Sequence, residues 1–281
     1  MSEHFEGLGK AWQVILEDPQ KQLPNTIVHA LKKGGTRECW QRRDEQGETI
    51  VMAWPDDTAF RIGVTMHGKP GKELRPVSTF PLLEGLPNDM TVEQYHPWKN
   101  RTEGTVAACR NEGATPVWFY TPFLFRDYDE FTPGVRHTFL LSGLAYGLRK
   151  ALLDDMTITE GPDYERHAQA WLEEHPGASR LDVPQLTLNL RGSRILMPGE
   201  FYGEYQLRAP VSAVDSIEVG GEKIYVLTME FGLNTPNPLR FPFYAPARVC
   251  KDEPLVGLDV DAIIWMQGRI LDIDLETPPY E

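Results

Sequence analysis

The chain has 281 residues, of which 41% are hydrophobic and 25% charged, ordinary values for a globular protein that exclude collagenous, low-complexity or mainly disordered chains. Its net charge is −13, and the excess lies in residues 151–281, which contain 10 basic and 22 acidic side chains. Because such a surface repels nucleic-acid phosphates and anionic membranes, the charge argues against both as partners.

The N-terminal part is predicted to begin with two helices and to continue as strands. Apolar residues at helical spacing predict a helix over 8–17, and a second helix is predicted over 25–33. The pattern then changes to short β-type segments separated by turn residues, with a loop-rich stretch at 81–103. Strands are predicted over 38–43, 48–54, 58–66, 105–110 and 117–120.

Two further helices are predicted before the chain becomes β-rich. Residues 138–152 carry leucines and one phenylalanine three or four positions apart, which favours a buried helix with close packing at Gly143 and Gly147. A partner helix is predicted to begin after Gly161-Pro162 and to run to Glu174, and His175-Pro176-Gly177 ends it. Residues 153–182 are strongly acidic, and we expect the domain boundary in or just after them.

The C-terminal part is predicted to be a small β-domain. Turn residues separate five strand candidates, at 185–197, 204–219, 223–231, 239–250 and 259–271. Five strands in about 90 residues favour an OB-like barrel over an immunoglobulin-like sandwich, which needs about seven. The predicted fold class is therefore α+β: a mixed α+β domain at 1–180 with a helical C-terminal part, followed by an OB-like five-stranded antiparallel β-barrel at 183–275.

Cysteine usage and hydropathy indicate a cytoplasmic protein. Cys39, Cys109 and Cys250 are widely separated and odd in number, as expected of free thiols in a reducing compartment. The N-terminus is acidic and lacks the apolar region of a signal peptide. No stretch approaches the roughly 20 apolar residues of a membrane span, so no membrane association is expected.

The acidic run at 127–130 is the best candidate for a catalytic site. Asp127, Asp129, Glu130 and, seven residues further on, His137 are the side chains that a metal-assisted or acid–base hydrolase would use. The spacing of a calcium loop is absent, and an exposed acidic loop paired with Arg126 and Arg136 explains the same residues. We therefore predict no resident metal here and keep the hydrolase as an alternative.

Aromatic residues in two proline-punctuated segments are the candidates for ligand binding. Such residues form either recognition surfaces or the seam between two domains. Arginine also outnumbers lysine in the predicted β-domain, a bias that suits carboxylate or phosphate recognition. The candidate ligand-binding residues are Trp118, Tyr120, Phe241, Phe243, Tyr244, Trp265 and Arg269.

The last predicted strand has two distinct faces. Val260, Ala262, Ile264 and Met266 form one face, whereas Asp261, Ile263 and Trp265 form the other. If several arginines converged with Trp265 or Tyr205, a ligand carrying negative charge, including a single-stranded nucleic acid, would fit this face.

No nucleotide-binding loop, zinc motif or nucleophile motif stands in the sequence, so no cofactor is predicted. The leading hypothesis is a binding or interaction protein without a catalytic site, which recognises a protein or a small ligand through its aromatic loops and its β-domain. A hydrolase built on the acidic cluster is the first alternative. A single-stranded nucleic-acid-binding protein is the second, and the net charge opposes it.

Overall fold

The computed structural model describes residues 3–45, 47–56, 58–219, 221–232, 235 and 237–271, and these are mainly β. The helices are α1 (Glu3–Ile15), α2 (Pro19–Lys33), α3 (Leu124–Asp127) and α4 (Pro162–Glu174). The strands are β1 (Gln41–Asp44), β2 (Gly47–Trp54), β3 (Phe60–Gly68), β4 (Arg75–Leu83), β5 (Leu86–Pro97), β6 (Gly104–Cys109), β7 (Val117–Thr121), β8 (Arg136–Lys150), β9 (Asp155–Ile158), β10 (Leu186–Asn189), β11 (Ile195–Pro198), β12 (Glu204–Pro210), β13 (Ala213–Val219), β14 (Glu222–Phe231), β15 (Leu239–Pro246) and β16 (Asp259–Ile270).

The N-terminal part contains the two predicted helices and a four-stranded antiparallel sheet. Strands β1 to β4 are neighbours in chain order, joined by hairpins, so this sheet is a meander. Strand β2 buries every second side chain. Such alternation is typical of a strand with one face on a core. The sequence predicts the two helices and strands β1, β2 and β3 approximately, but it does not predict β4.

The second large sheet has ten strands, in the order β11-β12-β16-β7-β6-β5-β8-β15-β14-β13. An additional pairing between β16 and β8 closes a ring of five strands: β16, β7, β6, β5 and β8. The predicted five-stranded OB-like barrel at 183–275 is corrected here, because only β16 of that range belongs to the ring. The boundary predicted at 180–183 falls between α4 and β10, and the ten-stranded sheet takes strands from both sides of it.

The segment 138–152 is a strand, so the predicted buried helix is wrong. Strand β8 pairs with β16 along most of its length and with β5 and β15 on its other edge. Both of its faces are buried in the middle, which produces a continuous apolar run that periodicity cannot distinguish from a helix. Gly143 serves close strand packing, since a Cβ there would lie 3.1 Å from the Cβ of Phe243.

The helix expected to begin after Gly161-Pro162 and to run to Glu174 is present as α4, although it has no helical partner in 138–152. The loop-rich stretch at 81–103 is also corrected, because most of it is the twelve-residue strand β5. Its prolines Pro87 and Pro97 stand near the two ends of the strand, where a missing backbone donor costs least.

Two hydrophobic cores hold the sheets. The first fills the inner side of the ten-stranded sheet and contains Phe119, Phe139, Leu207, Phe241 and Ile264. The second joins α1 and the four-stranded sheet to the outer side of the ten-stranded sheet and contains Trp12, Phe60, Phe80, Tyr120, Tyr244 and Trp265. Both cores draw on distant parts of the chain.

All three cysteines are thiols, as predicted. Burial raises the pKa of Cys250 to about 11, and burial together with Glu93 raises the pKa of Cys109 to about 11. Among the described residues, no helix combines the length and apolar character needed to cross a bilayer.

Candidate functional site

Strands β11, β12, β16 and β8 leave part of one sheet face uncovered. On these strands Leu207, Ala262 and Leu148 point into the first core. Since side chains alternate across a strand, the residues on either side of them point to the opposite face. That face carries a cleft of about 650 Å³, hereafter the outer-sheet cleft.

The strand register arranges the floor of the cleft as two adjacent rows. The first row runs across the four strands as Met197, Gln206, Ile263 and Gly147. The second row, two residues along, runs as Ile195, Arg208, Asp261 and Arg149. The floor therefore has an apolar half beside a charged half.

The walls of the cleft come from two neighbouring segments. Met156 lies on β9, and Leu190 directly follows β10, the strand that pairs with β9 across a long connection containing α4. Val249 and Lys251 follow β15. Met156, Met197 and Ile263 are 43%, 51% and 47% exposed. Exposed apolar side chains that converge on one concave surface are typical of a ligand site rather than of a core.

The charged row is built around one carboxylate. Arg208 donates two hydrogen bonds to Asp261, with Nε–Oδ1 at 2.7 Å and Nη2–Oδ2 at 3.0 Å. These bonds raise the pKa of Arg208, and Arg149 approaches the same carboxylate at 3.7 Å. With Lys251 included, the described residues that line the cleft comprise three cations and one carboxylate. Its net charge is positive in a chain whose total is −13.

Gly147 leaves an empty position in the apolar row. A Cβ built there meets no atom within 4 Å, so the position opens into the cleft rather than against a neighbouring strand. A side chain would occupy that space without displacing the fold, and the missing side chain lets an apolar group lie directly over the sheet.

The predicted acidic cluster is placed outside the cleft, and its members are separated by their partners. Asp127 is buried and accepts a hydrogen bond from Nη2 of the neighbouring Arg126 at 2.8 Å. Asp129 contacts Arg42 at 3.2 Å. Nε2 of His137 lies 2.9 Å from the backbone oxygen of Glu130. In the described part of the chain, no three His, Cys, Asp or Glu side chains form a group that could hold a metal ion.

The predicted ligand-binding aromatics are buried, except Trp118. Tyr120, Tyr244 and Trp265 lie in the core between the two large sheets, and the ring centroids of Tyr120 and Trp265 are 5.0 Å apart. Phe241 and Phe243 lie in the other core. Half-buried Trp118 stacks on His96 at 5.5 Å and contacts Tyr202 at 4.4 Å.

Arginines in the C-terminal part are held by acidic or carbonyl groups rather than lined up as a free stripe. Arg269 is buried and contacts Glu84 at 3.4 Å. Arg194 donates to the carbonyl oxygen of Glu230 at 2.7 Å. Carboxylates hold four more: Arg191 with Asp154, Arg208 with Asp261, Arg240 with Glu230, and Arg248 with Glu222.

The sequence reveals one part of the cleft and misses the rest. The sequence shows that Asp261 and Ile263 lie on the same face of the last strand, and it shows the excess of arginine over lysine in the C-terminal part. The sequence places Gly147 on a helix, which is wrong, and Met156 lies on β9, a short strand that the sequence does not predict. Comparison of the chain with protein-family models, with curated proteins and with solved structures finds no match.

Proposed function

We propose that this protein is a non-catalytic, cytoplasmic binding protein whose ligand is an amphipathic organic anion held in the outer-sheet cleft. The ligand class is a molecule with an apolar body and one carboxylate, sulfonate or phosphate group. The observation that carries the proposal is that the apolar row and the charged row lie side by side on one concave sheet face.

Each half of the cleft supports one half of the ligand. Met197, Ile263 and the gap at Gly147 offer an apolar surface for the body. Arg149, with 47% of its side chain exposed, and Lys251 offer charge for the head group. Arg208 is held by two hydrogen bonds to Asp261, so its guanidinium supports the charged row rather than reaching out to the ligand.

The volume and composition fit a small molecule better than a flat protein partner. Ligand pockets are typically about 300–1,000 Å³, mostly apolar, with a few placed polar groups. The cleft, of about 650 Å³, lies within that range. The hydrolase alternative has no such support, since Asp127, Asp129, Glu130 and His137 line neither this cleft nor the second cavity described below. It and the nucleic-acid alternative stay predictions.

The test is fluorescence of 1-anilinonaphthalene-8-sulfonate, an amphipathic anion that emits strongly in apolar sites. We expect saturable binding to the folded protein and displacement by decanoate. Neutral decanol and cationic decylammonium are matched controls of the same chain length, and both should displace the dye far less well than decanoate. Equal displacement by all three would show that the charged row has no role and would refute the proposal.

A further inference from the structure

A second cavity, of about 490 Å³, lies between the four-stranded sheet and the loop that joins β5 to β6. Its lining shares no residue with the outer-sheet cleft. Strands β1 to β3 contribute Arg42, Thr49 and His67, and the β5–β6 loop contributes Asn100, Arg101 and Thr102. All six of these side chains can donate hydrogen bonds.

Arg101 stands out in its backbone and in its side chain. Its φ of 58° makes it the one non-glycine residue with a left-handed backbone within the described part of the chain. A left-handed conformation is costly for an L-residue with a side chain and persists when the surroundings impose it. Its guanidinium is exposed and has no ion pair or hydrogen bond with any described residue.

The loop around Arg101 is fixed by its neighbour. Oδ1 of Asn100 accepts hydrogen bonds from the backbone N–H groups of Thr102 and Glu103, at 3.2 Å and 3.3 Å. Nδ2 of Asn100 donates to Oε2 of the buried Glu103 at 2.7 Å. Tyr120 donates to the other oxygen of this carboxylate at 2.7 Å. Arg101 is therefore presented by a rigid turn anchored in the core.

Two further side chains in the cavity, Thr102 and His67, retain donor capacity. Thr102 is 5% exposed, and its hydroxyl has no hydrogen-bond partner among the described residues. Buried hydroxyls normally have one, so a polar ligand atom here would satisfy a group that the protein leaves unpaired. His67 uses Nδ1 to contact the Thr49 hydroxyl at 2.9 Å, and its Nε2 has no partner within the described chain.

Arg42 belongs to the wall rather than to the ligand contacts. Its guanidinium is engaged by Asp44 and Asp129 and by the Tyr128 hydroxyl, which it contacts at 2.7 Å. Because two carboxylates already offset its charge, Arg101 is the uncompensated cation of the cavity.

We propose that this cavity binds an oxyanion, a carboxylate or phosphate group on a small polar molecule, with Arg101 as its charged partner. The planar guanidinium matches two oxygens of either group. The Thr102 hydroxyl and Nε2 of His67 donate to the same group. This site is independent of the outer-sheet cleft and takes a polar ligand rather than an amphipathic one.

The test is calorimetric titration of the full chain with inorganic phosphate and, separately, with succinate. Saturable binding of one or both is expected, and the anion that binds identifies the group recognised. In Arg101→Gln and Arg101→Gly the affinity should fall about 10- to 100-fold. Arg101→Gly keeps the left-handed turn without strain, so loss of binding there is not loss of fold.

Two controls make the result decisive. Arg136→Gln removes an exposed arginine, on β8, that lines neither cavity, and it should bind like the wild type. Decanoate binding to the outer-sheet cleft should be unchanged in both Arg101 variants. If neither phosphate nor succinate binds saturably, the proposal is overturned. Unchanged affinity in Arg101→Gly would also overturn it.

Discussion

Arg208 and Asp261 face each other across β12 and β16 in a two-point contact, with Nε–Oδ1 at 2.7 Å and Nη2–Oδ2 at 3.0 Å. The carboxylate has two roles. It orders the charged row of the outer-sheet cleft, and it lowers the net positive charge that the row offers to an anion.

Asp261→Asn separates these two roles. The charge-assisted bonds to a mostly buried arginine are weakened, so the free energy of unfolding should fall by about 1–3 kcal/mol. Decanoate affinity should rise several-fold, because Asp261 is the only carboxylate among the described residues that line the cleft, and the substitution neutralises it. Urea denaturation and calorimetry measure the two effects. The control is Glu218→Gln, which removes one exposed negative charge on β13, away from the cleft, and should leave decanoate affinity unchanged. Weaker decanoate binding by Asp261→Asn would contradict the account.

Gly147→Val should block the cleft without harming the fold. The new side chain enters space where a Cβ meets no atom within 4 Å, and valine suits a strand. We expect decanoate affinity to fall at least about tenfold while the free energy of unfolding stays the same or rises by up to about 1 kcal/mol.

The matched glycine control is Gly9→Ala in α1, which also has no atom within 4 Å of the added Cβ. It should stabilise the helix by about 0.5–1 kcal/mol and leave decanoate binding unchanged. Undiminished binding by Gly147→Val would place the ligand elsewhere.

Lys251→Gln should weaken anion binding by charge alone. The side chain lies at the exposed rim of the cleft, so the expected loss is about 1 kcal/mol or less, or up to about fivefold in affinity. The dependence of affinity on salt should also become shallower. Lys72→Gln, in the exposed β3–β4 turn, removes the same charge away from the cleft, and an equal loss in both variants would mean a nonspecific effect.

Two thiols with raised pKa values, the buried Cys109 and the partly buried Cys250, predict the response to alkaline pH. A thiol whose pKa is raised by burial stabilises the folded state while it is protonated. That contribution is complete below the ordinary thiol pKa of about 8.5 and is lost as the pH rises through about 11, the value for Cys109 and Cys250. The free energy of unfolding should therefore decrease between about pH 9 and pH 11.

The same pKa values predict slow alkylation at pH 8, where about 0.1% of each thiol is ionised. Mass spectrometry of iodoacetamide-treated protein, folded and unfolded, measures the protection of Cys109 and Cys250. Equal alkylation rates in the two states would show that burial does not suppress ionisation.

Local pattern predicts a large share of the strands and little of their assembly. Strands β2, β3, β6 and β7 alternate or are bounded by turn residues, so their positions follow from the sequence. The prediction is wrong for strand β8, because burial on both faces removes the alternation that identifies a strand. The ring of strands is not predicted either. Strand β16 pairs with β7 and β8, which lie more than 100 residues earlier in the chain, and local pattern does not reveal such long-range pairings.

The candidate cleft is hard to predict for the same reason. Asp261 and Ile263 stand out as one face of a strand, but their neighbours Gln206, Gly147 and Met197 come from three other segments. None of these residues is unusual by itself. Their common property, a place on one uncovered sheet face, exists only after the strands have paired.

The most direct test of the central claim is a decanoate titration followed by NMR of protein with ¹³C-labelled methionine methyl groups, assigned by single Met→Leu variants. Met156 and Met197 line the outer-sheet cleft, whereas Met90 and Met229 lie in the first hydrophobic core. The account predicts saturable shifts of the Met156 and Met197 methyl signals and none of the Met90 and Met229 signals. Shifts confined to other methionines, or no shift at saturating decanoate, would contradict it.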